Sequence, residues 1–306
     1  MTFAICRKAF RAMLTVLLVV TFAFVFLRAS GDPSVATLGT DASRQAIDAF
    51  RARWSLDTPL HQQYLAYLAG LLRGDFGVSF IGGRSALSVV MERVPQTLML
   101  MGTALAVSLM LGLVGGIAAA LCRDRWLDRM LIGFAAMGFC LPDFLTGILL
   151  ILIFGATLQL LPISGNESVL HYVMPTISLA LANTAMLARF TRSSMLEVLN
   201  QPYMRAARAR GVPWPLAVRR HALPNAAIPL VTIAGLLAGS LIVGATVTET
   251  VFAWPGVGQL LVSSVESRDL AVVQTIVILA GVSMVVANLV VDLVYLWLDP
   301  RLRSAQ

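Results

Sequence analysis

The cysteines, the histidines and a single lysine limit what this chain can do chemically. Cys6, Cys122 and Cys140 have no metal-type spacing, and His61, His171 and His221 are scattered. Neither H-E-x-x-H nor G-x-S-x-G occurs, so zinc hydrolysis and an elbow-type serine nucleophile have little to stand on. The thiols read as structural. Lys8 does not close a G-x-x-x-x-G sequence, so no P-loop holds a nucleotide here. Two groups of residues remain. Asp143, Asn183, Thr184, Glu249, Asn288 and Asp292 lie in or beside apolar runs, where polar groups are costly and often mark a transport path. A second group is the basic stretch from Tyr203 to Arg210, where alanines allow close approach and arginines offer forked donors to carboxylates.

The elements that position these groups follow from composition. Of 306 residues, 58% are hydrophobic and 13% are charged. Soluble chains carry about 25% charged residues, so a soluble enzyme is close to excluded, and disorder fails for want of polarity. Apolar runs long enough to cross a bilayer as helices fall at roughly Ala9–Leu27, Thr97–Leu121, Met130–Phe154, Tyr172–Ala188, Ala226–Val247 and Val272–Leu298. The first, preceded by Arg7, Lys8 and Arg11, also fits a signal peptide, but Arg28-Ala29-Ser30-Gly31 is a poor cleavage site. An uncleaved membrane helix is favoured.

Placing both termini in the cytoplasm puts Arg123, Arg125, Arg129, seven arginines between spans four and five, and Arg301 and Arg303 inside, with Lys8 and its neighbours. The short outer loops then hold only Arg268, as the positive-inside rule requires. The expected organisation is an N-terminal transmembrane helix at 1–28, an extracytoplasmic helical loop at 29–96, and a five-helix core at 97–306 with a cytoplasmic segment at 189–225.

The long loop has no Gly/Ser tract. Ile47, Phe50 and Trp54 recur at helical spacing, as do Leu60, Tyr64, Leu68 and Leu71, which predicts two amphipathic helices. Thr58 is expected to cap the second, with Pro59 in its first turn. A packed cap is favoured over a docking surface for an external partner. In the inner segment, Asn200-Gln201-Pro202 predicts a helix start, and Gly211 followed by Pro213 predicts its stop, with Gly211 at positive φ. So short a helix is unstable alone in water. A docking helix and a solvated basic loop both fit the charge. Gly112-x-x-x-Gly116 and Gly235-x-x-x-Gly239 suit close helix approach, most simply within the subunit.

Asp143 could line a path or meet a cationic solute end; it could equally bond backbone freed by Pro142. Asp292 favours an ion pair with an inner arginine, Glu249 reads as interfacial or gating, and His171 is assigned no chemistry.

At the inner segment the chain resembles a family. Arg205-Ala206-Ala207, three residues, Gly211, nine residues and His221-Ala222-Leu223-Pro224 resemble the E-A-A-x3-G-x9-I-x-L-P motif of ABC-transporter permeases. Arg205 and His221 replace the motif's glutamate and isoleucine. Tyr203 to Gly211, then His221 to Asn225 and Pro229, look most like the dipeptide/oligopeptide/nickel branch, with Arg210 where lysine is usual. Gly74-Asp75-Phe76-Gly77-Val78-Ser79, Arg93 to Leu98, Leu161 to Gly165, Glu249 to Phe252, Pro255 to Gly258 and Asp299 to Arg303 extend the similarity in order.

The resemblance implies an all-α polytopic membrane protein with six transmembrane helices, the type I ABC importer permease architecture, and a helical extracytoplasmic insertion between helices 1 and 2. It implies one half of a translocation path in a bacterial inner membrane. Expected partners are a second homologous permease, two ATPase subunits that carry ATP and Mg, and an extracytoplasmic solute-binding protein. No cofactor is expected on this chain, nor catalysis, nor nucleic acid. Tyr203, Ala206, Ala207, Arg208 and Gly211 would then meet the ATPase, with His221, Leu223 and Asn225 bracing the helix. Asp143, Asn183 and Glu249 are the candidates for the path. The alternative is a secondary transporter or channel without an ATPase; it would leave the 202–224 segment without a purpose, and no repeat relates the halves. An intramembrane enzyme has no catalytic constellation to support it.

Overall fold

A computed structural model describes residues 2–29, 33–39, 42–54, 56–239 and 244–298. Apart from one isolated bridge, Val78 with Ser85, the described residues with regular structure are helical. In hydrocarbon each backbone N–H and C=O must find an internal partner, and a helix does this within one segment. The chain divides into two units, residues 1–97 with 255–283, and 98–254 with 284–306.

The first unit holds α1 (Thr2–Ala29), α2 (Pro33–Leu38), α3 (Arg44–Arg53), α4 (Leu60–Leu72), the first turns of α5 (Ala86–Leu121), α13 (Val257–Glu266) and the first part of α14 (Leu270–Leu298). The two helices expected in the long loop are α3 and α4. The expected cap differs by one residue. Pro59 itself is the N-cap of α4, and Thr58 lies outside, its carbonyl accepting from the Gln63 amide at 2.7 Å. Ser43 caps α3 by accepting from the Ala46 N–H. The short α2 has no apolar period and was not foreseen. Phe24 of α1 packs on Tyr64 and Tyr67 of α4, with ring centroids 5.2 and 5.8 Å apart, and the Thr21 and Tyr64 hydroxyls are 2.6 Å apart. Trp54 of α3 packs on Phe80 at 4.7 Å. The Gly74–Ser79 stretch turns back through positive φ at Gly74 and Gly77, and the Ser79 hydroxyl donates to the buried carboxylate of Asp269. The Thr97 hydroxyl accepts from the Val257 N–H at the start of α13.

The second unit holds the rest of α5, then α6 (Trp126–Cys140), α7 (Asp143–Leu150) with a π-helical continuation to Thr157, α8 (Leu170–Leu199), α9 (Pro202–Ala209), α10 (Trp214–Ala217), a π-helical stretch (Val218–Ala222), α11 (Leu223–Gly239), α12 (Thr246–Val251) and the tail of α14. Among the described residues, three helices are long and apolar enough to span a membrane; counting each bent pair as one span raises that to five, and α1 adds a shorter apolar stretch, Met13–Phe26. The predicted second run starts too late, because α5 begins at Ala86 and carries Pro95 inside it. The predicted third run is two helices meeting at 95°, since Leu141 is extended before Pro142, as a pre-proline residue prefers. The fifth bends by 47° at Pro229. Asp299 to Arg303 and the side chain of Asp292 lie outside the described residues.

Helices α5 and α8 touch through glycine. A Cβ on Gly116 would lie 2.5 Å from Thr191 Cβ and 2.6 Å from the Ala188 carbonyl oxygen; on Gly112 it would lie 2.6 Å from Leu187 Cβ. Gly239 likewise meets Met284 and Ala287 of α14. These glycines close contacts within the subunit. A guanidinium fork also joins α8 to α6: Arg192 Nε and Nη2 donate to Asp128 at 2.6 and 2.7 Å. Gly115 has nothing within 4 Å of its missing Cβ. Gly115→Ala is therefore expected to be neutral or to stabilise by up to about 1 kcal/mol, while Gly116→Ala costs about 1–3 kcal/mol. Thermal unfolding of the detergent-solubilised variants, one residue apart, measures the difference.

Candidate functional site

The basic segment begins as α8 ends. Asn200 caps α8, Gln201 is extended, and Pro202 opens α9 at the position where its missing N–H costs nothing. Gly211 stops it with φ of 78°, as the sequence predicts. Two reversed bonds close the end: the Gly211 N–H donates to the Arg208 carbonyl at 2.9 Å and the Val212 N–H to the Ala207 carbonyl at 3.2 Å, the Schellman pattern. A Cβ on Gly211 would meet nothing within 4 Å, so glycine is needed there for its backbone angle and not for space.

What holds so short a helix is a seat. Met204 and Ala207, three residues apart on one face, are each 1% exposed. Met204 joins Ala120 of α5, Met195 of α8, Ala217 of α10, Val218 and Ala222 of the π-helical stretch, and Ala226 of α11 in one apolar cluster. Leu223 packs on its edge. The Arg208 guanidinium lies 3.6 Å above the Trp214 ring and ties α9 to α10. The opposite face carries Tyr203, Arg205, Ala206, Ala209 and Arg210, all exposed, with Tyr203 at 41%. Partial burial raises the Tyr203 phenol above its ordinary pKa.

The structure thus divides the predicted set. Tyr203, Ala206, Arg208 and Gly211 are exposed, whereas Ala207 is inside the subunit. His221 is half-buried, and its carbonyl accepts from the exposed Asn225 amide at 2.7 Å. Sequence reasoning missed Met204, the longest apolar side chain of α9 and the only one able to fill the cluster. It also missed Ala209, Arg205 and Arg210 as the outward face, legible from the three-residue step between Met204 and Ala207.

The path candidates lie elsewhere in the same unit, on α7, α8 and α12, which pack against one another. Asp143 is half-buried in the first turn of α7, and its carbonyl accepts from the Ser178 hydroxyl. Asn183 donates to its own helix, at the Leu179 carbonyl. Glu249 is fully buried within the protein, on α12. The α12 turn explains it: the Trp254 N–H reaches back to the Glu249 carbonyl at 2.8 Å through Ala253 at φ of 47°. Phe252 then covers Gly147, and Trp254 meets Tyr172 edge-on at 4.5 Å. His171, half-buried at the start of α8, accepts from the Ser168 N–H, a local turn contact.

Two family models match the chain. One, described as the binding-protein-dependent transport system inner membrane component, matches residues 112–304; the other, its N-terminal membrane component, matches residues 1–101. The glutathione transport system permease protein GsiC of Salmonella paratyphi A is 41% identical over 290 residues, 94% of this chain and 95% of the relative. GsiC of Escherichia coli K12 is 41% identical over 285 residues, 93% of each chain. Among solved structures, an inward-facing MetNI methionine ABC transporter aligns with a TM-score of 0.57 at 17% identity, covering 70% of this chain and 97% of its own. An amino acid ABC transporter solved with histidines aligns at 0.53 and 18% identity, covering 68% and 92%.

Met204→Ala removes the side chain that fills the seat and is expected to cost about 2–5 kcal/mol locally. The check is trypsin, which cuts after arginine: cleavage at Arg205, Arg208 and Arg210 should become fast in the variant and stay slow in the wild type.

Proposed function

The chain belongs to the inner membrane components of binding-protein-dependent transport systems, and we propose that it serves there by docking an ATPase with α9. It is a multi-pass permease subunit of an ABC importer. The finer reading has six spans, counting α1 and each bent pair once, with both termini in the cytoplasm. The subunit forms half of the path beside a second homologous permease. Two ATPases supply the energy with ATP and Mg, and an extracytoplasmic binding protein delivers the solute. This chain has no ATPase site of its own. The solute class is glutathione or a related small peptide, the reading the similarity to GsiC favours.

One observation carries the docking role. An eight-residue helix is seated through Met204 and Ala207 and turns a tyrosine, two alanines and arginines outward. Alanines let a partner's surface approach the backbone, and the arginines offer planar donors to its carboxylates. A force on α9 reaches α8, α10 and α11 through the cluster around Met204, because close-packed apolar groups shift as a body. Ala207 contributes as part of the seat, Gly211 as the fixed end, and Leu223 as the edge of the cluster on α11. The Asn225 side chain braces the start of α11 by donating to the His221 carbonyl one turn back. On the path, the buried Glu249, with Asp143 and Asn183, are the groups to test for solute contact.

Ala206→Asp places a like-signed charge among a partner's carboxylates while leaving the seat intact. Solute uptake is expected to fall at least about tenfold, the effect of losing roughly 1.4 kcal/mol of productive docking, with the trypsin pattern and thermal midpoint unchanged. Normal uptake by this variant at normal expression would sink the docking role. Uptake by the wild type that follows an ion gradient and ignores ATP would favour the secondary transporter instead.

A further inference from the structure

A cleft of about 300 Å³ opens between α1 and α4, lined by Thr21, Phe24, Val25, Arg28, Leu60, His61 and Tyr64. Its walls are apolar apart from Arg28, at the end of α1, His61, and the Thr21–Tyr64 hydroxyl pair two turns earlier on α1. Two donors around Phe24 are buried without a hydrogen-bond partner: Arg28 Nε, whose guanidinium lies 5.7 Å from the Phe24 centroid, and the Tyr67 hydroxyl, whose ring stacks on Phe24 at 5.8 Å. Buried donors of this kind call for an acceptor. Arg28 in the last turn of α1 also complements the helix dipole, but that role uses only its charge and leaves Nε without an acceptor.

The mouth of the cleft identifies the occupant. Val25 lines it and is exposed, and on the same helix Leu14, Leu18 and Phe22 are exposed at steps of four. This is the stripe a membrane helix turns to lipid, so the cleft's apolar wall continues a lipid-facing surface. Arg28 ends the apolar run, at the depth where headgroups lie. A molecule that fits has acceptor oxygens and negative charge at one end and a hydrocarbon chain at the other. We propose that this cleft binds an anionic phospholipid, with the phosphate against Arg28 and His61 and one acyl chain along Phe24 and Val25.

The guanidinium fork matches phosphate oxygens, and the hydrocarbon contact excludes a soluble anion. The lipid fastens α4 of the insertion to the end of α1, adding to the Thr21–Tyr64 bond and the Phe24 stack. The inference rests on the membrane assignment and not on the docking role of α9, and its test does not involve transport.

The experiment uses the full chain extracted into polymer-bounded native discs, with retained lipid counted by mass spectrometry. Thermal unfolding in detergent is then followed with added phosphatidylglycerol, phosphatidylcholine of the same chains, or inorganic phosphate. Selective retention of phosphatidylglycerol and a raised midpoint with it alone are expected. Arg28→Gln should lower the selectivity about tenfold, the loss of one charge-assisted bond. Val25→Trp, which keeps the arginine and fills the chain groove at a lipid-exposed position, should lower retention similarly. Equal stabilisation by phosphatidylcholine, unchanged selectivity in both variants, or the same midpoint shift with inorganic phosphate alone would overturn the proposal. So would a second protein covering the α1 stripe in place of lipid.

Discussion

Helices in hydrocarbon gain nothing from hiding apolar surface, because lipid is as apolar as leucine; what joins them is contact distance. The α5–α8 contact is the place where this constraint bears hardest. Two glycines bring backbone against backbone there, with Ala188, Thr191 and Leu187 filling the space a side chain would need. Helix α8 is the common partner of α6, α7, α11 and α12, so its position against α5 sets much of the second unit. The Asp128–Arg192 fork adds a directional tie at one end of this contact and lets close packing fix the rest.

The breaks in the helices obey the same constraint. Prolines interrupt the backbone ladder at Leu141–Pro142 and near Pro229, and each break leaves groups that must be satisfied locally. Near the first, the Ser178 hydroxyl of α8 donates to the Asp143 carbonyl; beyond α7 the π-helical turn continues the ladder at a different step. The E-T-V-F-A-W stretch is folded in like manner, its acid and both its aromatic rings buried and its chain reversed by one residue at positive φ.

Much of this was legible. Apolar run length gave the long apolar helices, period gave α3 and α4, and the Pro202 and Gly211 signals bounded α9 to within a residue or two. The rest was hidden for physical reasons. An apolar run reads the same whether straight or bent by 95°, because composition carries length and not direction. Glu249 reads as interfacial or gating from its place near a span end; its burial within the protein is set by tertiary contacts that the letters do not carry. Ala206 and Ala207 are indistinguishable as letters, yet one faces out and the other is enclosed, a choice made by Met204 one step away on the wheel.

The stack of Arg208 on Trp214 differs in kind from the other ties of the inner segment. A hydrogen bond has a narrow angular well, and an interlocked cluster resists any slip, but two flat faces attract across a broad plane. A guanidinium over an indole is less directional in the plane of the ring than a hydrogen bond is, while it still resists separation. The joint between α9 and α10 is therefore a sliding bearing beside a fixed socket. The methionine seat fixes where α9 lies, and the stack fixes how far it stands from α10.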